Sequence, residues 1–469
     1  MLLTFVKYIS TYNYFDNQNN SIWENNNFMN ICIVGCGYVG LVTAAAFADF
    51  GNEVVALDVD KKKIKSLSSG GCPIYEPGLK ELLERNRKAK RIRFTTSISS
   101  AVHKSEIIFI CVATPSKKDG STDLSQIKAA ASQIAKNIKN QKIIVNKSTV
   151  PIGTGELVEK VINKNLKIPV EFDVVSNPEF LREGQAIRDF FEPDRIVIGS
   201  NSETATAKVK ELYKTLKCPV ISTDLYSAEL IKYASNAFLA TKISFINSIA
   251  NICEITDANI DDIAMGLGTD KRIGHDFLQA GLGFGGSCFP KDLQSLLSTS
   301  IELKDPLKII KEVIEQNKIR VPRIIKRIIK RIGLAKGPKL SGKTISVLGL
   351  AFKPNTDDLR EAKSIEICNA ILKEGANINT YDPIAMEKAK DILKNRKVNF
   401  CKNPYSAAEK SDAAIFITEW PEFKQLDLKR LTKNMNSAII FDGRNIYDVN
   451  EMKKLKIEYH SIGRPSYYP

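Results

Sequence analysis

"NICIVGCGYVGLVTAAAFADFGNEVVALDVD", residues 30–60, contains the succession of elements that decides the fold. An apolar run precedes Gly35, Gly37 and Gly40, and an alanine-rich stretch of helical character follows them. A second apolar run ends at Asp58. The first glycine permits a tight turn, the second admits a pyrophosphate at the helix N-terminus, and the third lets the helix pack on the strand. The stretch therefore predicts a dinucleotide-binding βαβ unit.

The acid at the end of the second strand predicts which dinucleotide binds. Asp58 would accept hydrogen bonds from an adenosine ribose and repel a 2′-phosphate, which favours NAD over NADP. Three lysines at residues 61–63 weaken that preference. The candidate cofactor-binding residues of this unit are Gly35, Gly37, Tyr38, Val39, Gly40, Asp58 and Lys63.

The α/β pattern continues in "EIIFICVATPSKKDG" (residues 106–120) and "KIIVNKSTVPIGTGELVEKVI" (residues 142–162). Each reads as a buried strand followed by a turn. Strand ends face the cofactor crevice in a doubly wound sheet, so we expect Ala113, Thr114, Ser148 and Thr149 near the nicotinamide. For Ser148 and Thr149 alone, ordinary turn and N-cap chemistry explains the residue types equally well.

Helical spacing dominates from about residue 224 to residue 330 and predicts a helical central domain with a long helix. On that helix Lys232 and Asn236 are four residues apart and share a face with Glu229. The lysine and the amide could converge on one substrate group. A solvated helix face is the alternative that the spacing alone favours.

The last third resumes α/β with "KTISVLGLAFKPNTDDLREAKSIEICNAILKEGANINTYDP", residues 343–383. Strand, glycine turn, helix and a strand ending at Asp382 repeat the first unit. Because Leu350 and Ala351 follow Gly349, the three-glycine pattern is lost and a second dinucleotide is not expected. Lys353 and Arg444 are predicted to hold a nucleotide diphosphate.

These patterns predict an α/β protein with two Rossmann-like doubly wound domains joined by a helical central domain. The predicted divisions are a poorly ordered extension (1–28), an NAD-binding domain (29–223), a helical central domain (224–335) and a second Rossmann-like domain (336–469).

The stretch "GLGFGGSCFPKD", residues 281–292, surrounds Cys288 with glycines. Glycines remove side-chain bulk, so a large molecule could approach this thiol closely. Cys288 is therefore a candidate nucleophile, although a buried cysteine beside a tight turn is the usual explanation for a lone cysteine.

Composition narrows the class of protein. The net charge of +15 over 469 residues is spread along the chain and interleaved with acids, which is a weak signal for nucleic acid. The densest basic stretch, residues 318–339, predicts a helix with a solvated basic face. Nine scattered cysteines with three histidines indicate neither a zinc site nor a disulfide framework, and reduced thiols predict a cytoplasmic protein. No apolar run is long enough for a membrane span, and residues 1–28 do not resemble a secretory signal.

Four longer motifs carry a resemblance to a known family: "GFGGSCFPKD" (283–292), "NPEFLREGQAIRDFFEPDRIVIG" (177–199), "ELIKYASNAFLATKISFINSIA" (229–250) and "LGLAFKPNTDDLREAKS" (348–364). Together, and in this order, they resemble the NAD-dependent nucleotide-sugar dehydrogenases of the UDP-glucose/GDP-mannose dehydrogenase family. The similarity runs from about residue 29 to near the C-terminus.

The resemblance implies a four-electron oxidation of UDP-glucose to UDP-glucuronate by two NAD in succession, with Cys288 forming a thiohemiacetal and then a thioester. Dehydrogenases for GDP-mannose and for UDP-N-acetylmannosamine share the fold and the cysteine, and they remain alternatives for the substrate.

The resemblance also implies roles for individual residues. Lys232 and Asn236 would stabilise the oxyanion at C6, and Asp292 with Thr149 would position water. Glu179 would take part in thioester hydrolysis, and Glu183 would lie near the nicotinamide and the sugar. The pattern alone would make both glutamates surface charges. The substrate contacts implied are Phe180, Leu181, Arg182, Glu183, Lys232, Asn236, Arg272, Phe284, Gly285, Phe352, Lys353 and Arg444.

Arg272 matches a family arginine that reaches a neighbouring subunit, so we expect a homodimer or a higher homo-oligomer. Neither a nucleic-acid nor a membrane partner is expected. The alternative from another class is a non-catalytic nucleotide-binding or nucleic-acid-binding protein, and every matched catalytic position is occupied, which argues against it.

Overall fold

The computed structural model describes residues 28–469, and the predicted N-terminal extension lies outside them except for its last residue. The first unit is an eight-stranded sheet in the order β3-β2-β1-β4-β5-β6-β7-β8, in which only β6 and β7 pair antiparallel. Its strands are β1 (Asn30–Val34), β2 (Glu53–Leu57), β3 (Ile92–Thr95), β4 (Ile107–Ile110), β5 (Lys142–Asn146), β6 (Phe172–Ser176), β7 (Ile196–Ser200) and β8 (Val220–Thr223). Its helices are α1 (Tyr38–Asp49), α2 (Lys61–Ser68), α3 (Leu79–Lys88), α4 (Ile98–Lys104), α5 (Ser125–Ala135), α6 (Thr154–Asn165), α7 (Ala186–Phe191) and α8 (Glu203–Glu211).

The central strands β1, β4 and β5 are buried along nearly all of their length because helices cover both faces of the sheet. β4, for example, is buried at every residue. In the parallel register Val34 pairs with Ile110, and Ile110 pairs with Asn146. The loops that follow β1, β4 and β5 therefore emerge side by side at one edge of the sheet.

Five helices follow the first sheet: α9 (Leu225–Thr256), α10 (Ile260–Thr269), α11 (Phe289–Glu302), α12 (Lys308–Lys318) and α13 (Arg320–Ile332). The long helix α9 begins where the Asp224 carboxylate accepts a hydrogen bond from Ser227 N at 2.8 Å. It ends at Asp257, which has the left-handed φ of 56° typical of a helix terminus. On α13, Lys326 and Lys330 are exposed, as predicted for a solvated basic face. Arg320 is buried and Arg327 pairs with Glu254 at 3.1 Å, so the arginines of this helix contact the protein instead.

The second unit is a six-stranded parallel sheet in the order β11-β10-β9-β12-β13-β14. Its strands are β9 (Thr344–Leu348), β10 (Asn377–Tyr381), β11 (Val398–Phe400), β12 (Ala413–Phe416), β13 (Ile439–Asp442) and β14 (Glu458–His460). Its helices are α14 (Lys363–Lys373), α15 (Met386–Ile392), α16 (Pro404–Ala408), α17 (Pro421–Lys424), α18 (Leu428–Lys433) and α19 (Val449–Leu455). The predicted fold class is confirmed: two Rossmann-like units flank a helical region.

Helix α9 joins the two units through their cores. Leu225, at its start, packs in the core of the first sheet, and Ile246 and Ala250, near its end, pack in the core of the second. One rigid element therefore sets how the two sheets face each other. Among residues 28–469, no helix combines the length and the apolar character that a membrane crossing requires.

Candidate active site

A cavity of about 970 Å³ lies between the first sheet, helix α9 and the loop that precedes α11. Loops at the carboxyl edge of the first sheet supply one wall, α9 supplies Lys232 and Asn236, and the second unit supplies Phe352 and Lys353. Crevices at this edge are where doubly wound sheets hold ligands. Predicted residues that line the cavity are Glu179, Phe180, Leu181, Arg182, Glu183, Lys232, Asn236, Gly285, Cys288, Phe352 and Lys353.

Cys288 lies at the N-cap of α11 and is half-buried in the cavity wall. Burial raises the pKa of its thiol to about 11, with a further contribution from the Glu179 charge, and Lys232 opposes them. The sulfur is therefore protonated at neutral pH. A nucleophilic role requires a nearby group that accepts this proton when the sulfur reacts.

Lys232 and Glu179 form an ion pair inside the cavity. Lys232 Nζ lies 3.3 Å from Glu179 Oε1, and the two side chains are 4% and 5% exposed. Glu179 also accepts a hydrogen bond from Leu181 N at 2.5 Å. The alternative of a solvated helix face is therefore wrong for Lys232, and Glu179 is not a surface charge. A buried pair is fixed in position, as an electrostatic role requires.

Asn236 and Asp292 are held against each other beside this pair. Asn236 Nδ2 donates to Asp292 Oδ2 at 2.6 Å, and Lys291 Nζ donates to Asp292 Oδ1 at 2.6 Å. Burial acts to lower the pKa of Lys291, but the Asp292 charge outweighs it and raises the pKa. The amide of Asn236 keeps a second N–H that this contact does not use.

Glu183 is also buried, in contrast to the surface position that its sequence context suggests. Its Oε1 accepts from Ser287 Oγ at 2.9 Å and from Arg360 Nη2 at 3.2 Å. Burial and the neighbouring Asp358 charge raise the pKa of Glu183 to about 7, against the opposing effect of Arg360. Glu183 therefore titrates in the physiological range.

The turn between β1 and α1 has the shape that a dinucleotide needs. Gly35 has a left-handed φ of 104°, and α1 begins three residues later at Tyr38. A Cβ added at Gly37 would meet no atom within 4 Å, so open space lies at the N-terminus of this helix. A Cβ at Gly40 would lie 1.8 Å from Gly35 O, so the helix and the turn approach as closely as backbone allows. The chain thus offers NAD an unobstructed anion cradle.

Asp58 sits beside that cradle. Its Oδ2 accepts from Cys36 N at 2.9 Å and pairs with Lys63 Nζ at 2.9 Å. Burial acts to raise the pKa of Asp58, but the hydrogen bonds from Lys63, Asp60 N and Cys36 N outweigh it and lower the pKa. The carboxylate is ionised and partly exposed, which suits a ribose hydroxyl.

The turns after β4 and β5 contain the residues predicted to lie near the nicotinamide, and these two turns lie next to each other. Thr114 Oγ1 donates to Thr149 O at 2.9 Å, and Ser148 Oγ donates to Val112 O at 2.7 Å. The Thr114 and Ser148 hydroxyls therefore hold the two turns together. Ala113 and Thr149 lie in the same pair of turns.

Some of the remaining predicted contacts line the cavity and others lie outside it. Arg444 Nε donates to Ile417 O at 2.8 Å, and Arg444 Nη1 and Nη2 reach the carbonyls of Gly283 and Phe352. Phe284 packs in a buried cluster beneath the cavity with Tyr233. Arg444, Phe284, Thr149 and Asp292 do not line the cavity. Arg182 pairs with Asp189 at 2.6 Å.

Arg272 is a further predicted contact that does not line the cavity. It is 88% exposed and pairs with Asp270 at 2.6 Å.

Lys147 is a cavity residue that the sequence reasoning missed. Its Nζ donates to Asn177 Oδ1 at 3.2 Å and to Tyr213 OH at 3.3 Å, and burial lowers its pKa to about 8. Its position next to Ser148, at the end of a predicted strand, was the available signal. Between residues 28 and 469 there is no group of three or more histidine, cysteine or acidic side chains that could hold a metal ion.

Comparison with known proteins agrees with this architecture. Models of the UDP-glucose/GDP-mannose dehydrogenase family match residues 29–217 as its NAD binding domain, 226–319 as its central domain and 346–449 as its UDP binding domain. A UDP-glucose 6-dehydrogenase of Bacillus subtilis is 49% identical over 436 residues, which are 93% of each chain.

Solved structures give the same result. A UDP-glucose dehydrogenase from Pyrobaculum islandicum superposes with a TM-score of 0.87 at 38% identity, covering 94% of this chain and 99% of that one. A UDP-D-ManNAc dehydrogenase from Pyrococcus horikoshii superposes with a TM-score of 0.80 at 28% identity, covering 93% and 99%. The cavity, the cradle and these similarities agree, and the chain belongs to the UDP-glucose/GDP-mannose dehydrogenase family.

Proposed function

We propose that this protein oxidises the C6 alcohol of UDP-glucose to a carboxylate and releases UDP-glucuronate, with NAD as electron acceptor and Cys288 as nucleophile. The observation that carries the proposal is that Cys288, Lys232, Asn236 and Glu179 line one cavity between the NAD binding and UDP binding units. A thiol is needed because the aldehyde formed by the first oxidation must gain a substituent before a second hydride can leave.

The N-terminal unit would hold the cofactor at Gly35, Gly37 and Asp58, where the open cradle and the ionised carboxylate lie. NAD, when bound, supplies the hydride acceptor for both oxidation steps. Ala113, Thr114, Ser148 and Thr149 would line the nicotinamide end, since their turns are the next ones along the sheet edge.

Addition of Cys288 Sγ to the aldehyde forms an S–C bond and places negative charge on the former carbonyl oxygen. The donors for that oxygen are Lys232 Nζ and the second N–H of Asn236, because the first N–H is already given to Asp292. Both donors belong to α9 and are buried, so they need little reorganisation when the charge develops.

Loss of the second hydride from C6 then converts this adduct into a thioester. Hydrolysis breaks the C–S bond, with the hydroxyl of water going to C6 and its proton to the sulfur. Glu179 and Asp292 are the carboxylates nearest these donors, and with Thr149 they would position the attacking water. Lys291 Nζ pairs with Asp292 Oδ1 at 2.6 Å and holds this carboxylate in place.

The UDP end of the substrate would contact the second unit. Lys353 lines the cavity, and burial lowers its pKa. Arg444 reaches the Gly283 and Phe352 carbonyls at the same side. Similarity supports UDP-glucose as the sugar nucleotide, because the UDP-glucose 6-dehydrogenase relative is 49% identical and the UDP-D-ManNAc dehydrogenase 28%. The division of the chain at residues 223 and 335 belongs to the same proposal.

A second copy of the chain is part of the proposal. Helix α9 exposes Phe238, Phe245 and Ile252, which recur at every seventh residue and are 67%, 51% and 56% exposed. An apolar stripe of this kind on a long helix suits a partner helix. Arg272, which is exposed and does not line its own cavity, would then reach the site of the neighbouring subunit. Light scattering of Phe245→Glu should show a smaller particle than the unsubstituted protein, and an unchanged dimer would contradict this interface.

The first experiment counts NADH. With limiting UDP-glucose and excess NAD, absorbance at 340 nm should show two NADH per sugar nucleotide consumed. Two NADH from GDP-mannose or UDP-N-acetylmannosamine alone would move the substrate and keep the mechanism. No NADH from any of the three would refute the reaction.

Replacement of the nucleophile gives the matched test. Cys288→Ser should lose steady turnover, whereas Cys218→Ser, a change at another partly exposed cysteine, should keep it. Steady turnover in Cys288→Ser would remove the covalent step from the proposal.

A further inference from the structure

The glycines around Cys288 let another part of the chain approach it. Gly286 N donates to Arg360 O at 3.0 Å. A Cβ added at Gly285 would lie 2.2 Å from Glu361 O, and one added at Gly286 would lie 2.6 Å from the Phe352 ring. Residues 350–362 of the second unit therefore pack directly against the loop that contains Cys288.

From this segment a chain of polar contacts runs back to the sulfur. Arg360 binds Asp358 through Nε at 2.8 Å and through Nη2 at 2.7 Å, and its Nη2 also reaches Glu183 Oε1 at 3.2 Å. The same Glu183 oxygen accepts the hydroxyl of Ser287 at 2.9 Å. Ser287 Oγ lies 3.6 Å from Cys288 Sγ, within reach of a sulfur hydrogen bond.

The direction of these hydrogen bonds is set by proton count. Ser287 has one hydroxyl hydrogen, and the Glu183 carboxylate takes it. The remaining bond must then run from the Cys288 thiol to the Ser287 oxygen. S–H, O–H and carboxylate are thus arranged as donor, relay and acceptor.

We propose that Ser287 and Glu183 form the proton path for the Cys288 thiol, and that Arg360 is the positioning residue that holds Glu183 toward Ser287. This inference rests on the proposed role of Cys288 as nucleophile. As the S–C bond forms, the thiol proton passes to Ser287 Oγ, the Ser287 proton passes to Glu183, and the aldehyde oxygen takes the electron pair. One carboxylate is neutralised for each oxyanion formed, so charge and atoms balance.

The electrostatics of Glu183 fit an acceptor. Its pKa of about 7 is high enough to take a proton and low enough to be ionised in the resting protein at slightly alkaline pH. The charged or titratable groups that act on Glu183 or on Cys288 are Glu179, Lys232, Lys291, Asp292, Lys353, Asp358 and Arg360.

The test measures the thiol in the free full-length protein, so it needs neither NAD nor sugar nucleotide. Iodoacetamide alkylation of Cys288 is followed by peptide mass spectrometry from pH 6 to pH 9. We expect a rise in rate with a midpoint near 7 in the unsubstituted protein, and its loss in Ser287→Ala and in Glu183→Gln. The drop at pH 7.5 should be about tenfold or more, the scale of a lost general base.

Arg360 is tested by the midpoint itself. Arg360→Ala should move the midpoint upward by about one pH unit, because an opposite charge near a carboxyl lowers its pKa by about that amount or more. Arg360→Lys should restore most of the shift, and the exposed Arg396→Ala serves as the matched control. A merely structural Arg360 would change the KM for UDP-glucose and leave the midpoint in place.

Equal alkylation profiles for Ser287→Ala and the unsubstituted protein would overturn the proton path. Failure of the proposed function would look different: steady NADH release in Cys288→Ser would remove the nucleophile, whatever the alkylation profiles show. An unmoved midpoint in Arg360→Ala, with slowed alkylation in Ser287→Ala, would remove the part assigned to Arg360.

Discussion

The two Rossmann-like units share one strand order and differ in the segment that connects their first strand to the next helix. Both sheets contain the order 3-2-1-4-5-6. Both first turns begin with a left-handed glycine, Gly35 at φ 104° and Gly349 at φ 93°. Each glycine N–H is bound by the last residue of the second strand, Leu57 O at 2.7 Å and Tyr381 O at 2.9 Å.

The difference begins immediately after these glycines. In the first unit α1 starts at Tyr38, and its N-terminus faces open space. In the second unit the helix α14 does not start until Lys363, and residues 350–362 fill the interval. The turn therefore leaves room for a ligand in the first unit. In the second unit it is followed by a segment that extends to the Cys288 loop.

The acids at the ends of the second strands show the same division. Asp58 accepts from one backbone N–H of the turn and remains partly exposed. Asp382 is buried, and it accepts from Leu350 N, Ala351 N and Trp420 Nε1 at 2.7 to 3.0 Å. One position thus serves a ligand in the first unit and the protein's own loop in the second.

The largest expected effect comes from Gly37 and Gly40, the two glycines of the first turn that the second unit lacks. Gly40→Ala places a Cβ against Gly35 O, so we expect a loss of about 3 kcal/mol or more in the free energy of unfolding, together with loss of NAD binding. Gly37→Ala meets no atom, so it should keep stability and weaken NAD binding about tenfold or more, since the methyl group blocks the pyrophosphate. Thermal unfolding and NAD titration by calorimetry check both. Equal stability of the two variants would contradict the close packing.

The next largest effect is expected from Asp58 and Asp382, the acids at equivalent strand ends. Their replacement should affect cofactor binding in the first unit and stability in the second. Asp382→Asn should cost about 2 to 3 kcal/mol of stability with NAD affinity unchanged, because it weakens a buried charged acceptor. Asp58→Asn should leave stability within about 0.5 kcal/mol and raise the Kd for NAD relative to NADP. Denaturant unfolding and titration with both cofactors measure this. A change in the preference for NAD over NADP in Asp382→Asn would contradict the purely structural role assigned to Asp382.

A buried carboxyl of the first unit should make its stability depend on pH. Glu76 accepts from Gly184 N at 2.6 Å and Ala186 N at 2.7 Å, and burial raises its pKa from 4.5 to about 7. The folded chain then holds a proton that the unfolded chain releases. The stabilising contribution is complete below about pH 4.5 and is lost as the pH rises through 7.

Glu76→Gln should flatten this dependence by about 1 to 3 kcal/mol between pH 5 and pH 8. The quantity measured is the free energy of unfolding of the first unit. Its unfolding transition is identified as the one that shifts when NAD is added. If that transition has the same pH slope in Glu76→Gln and in the unsubstituted protein, another group titrates there.

The smallest effect is expected at the ion pair beside the cradle. Lys63→Ala removes a partner that is 29% exposed, so stability should fall by less than about 1 kcal/mol. NAD affinity should change by about threefold or less, since Asp58 keeps its backbone donors. A calorimetric titration that showed a tenfold change would make Lys63 a direct contact of the cofactor.

The parts of this molecule that sequence patterns predicted are local ones. The first turn, the missing glycines of the second turn and the long helix each depend on residues within one or two turns of chain. Glu179 and Glu183 could be taken for surface charges because their burial comes from α9 and from residues 350–362, which lie far along the chain. Arg360 meets Glu183 across 177 positions, a pairing that no periodicity encodes. The position of Lys147 at a strand end was visible in the sequence, but its burial depends on tertiary packing.

The segment 350–362 also has a consequence for synthesis of the chain. The N-terminal unit and the Cys288 loop emerge from the ribosome before segment 350–362 is synthesised, and domains generally fold as they emerge. In a nascent chain, the cofactor site and the Cys288 thiol would therefore be synthesised well before Arg360. The sulfur would lack the wall and the cation that the last third supplies, so covalent chemistry waits until translation is nearly finished.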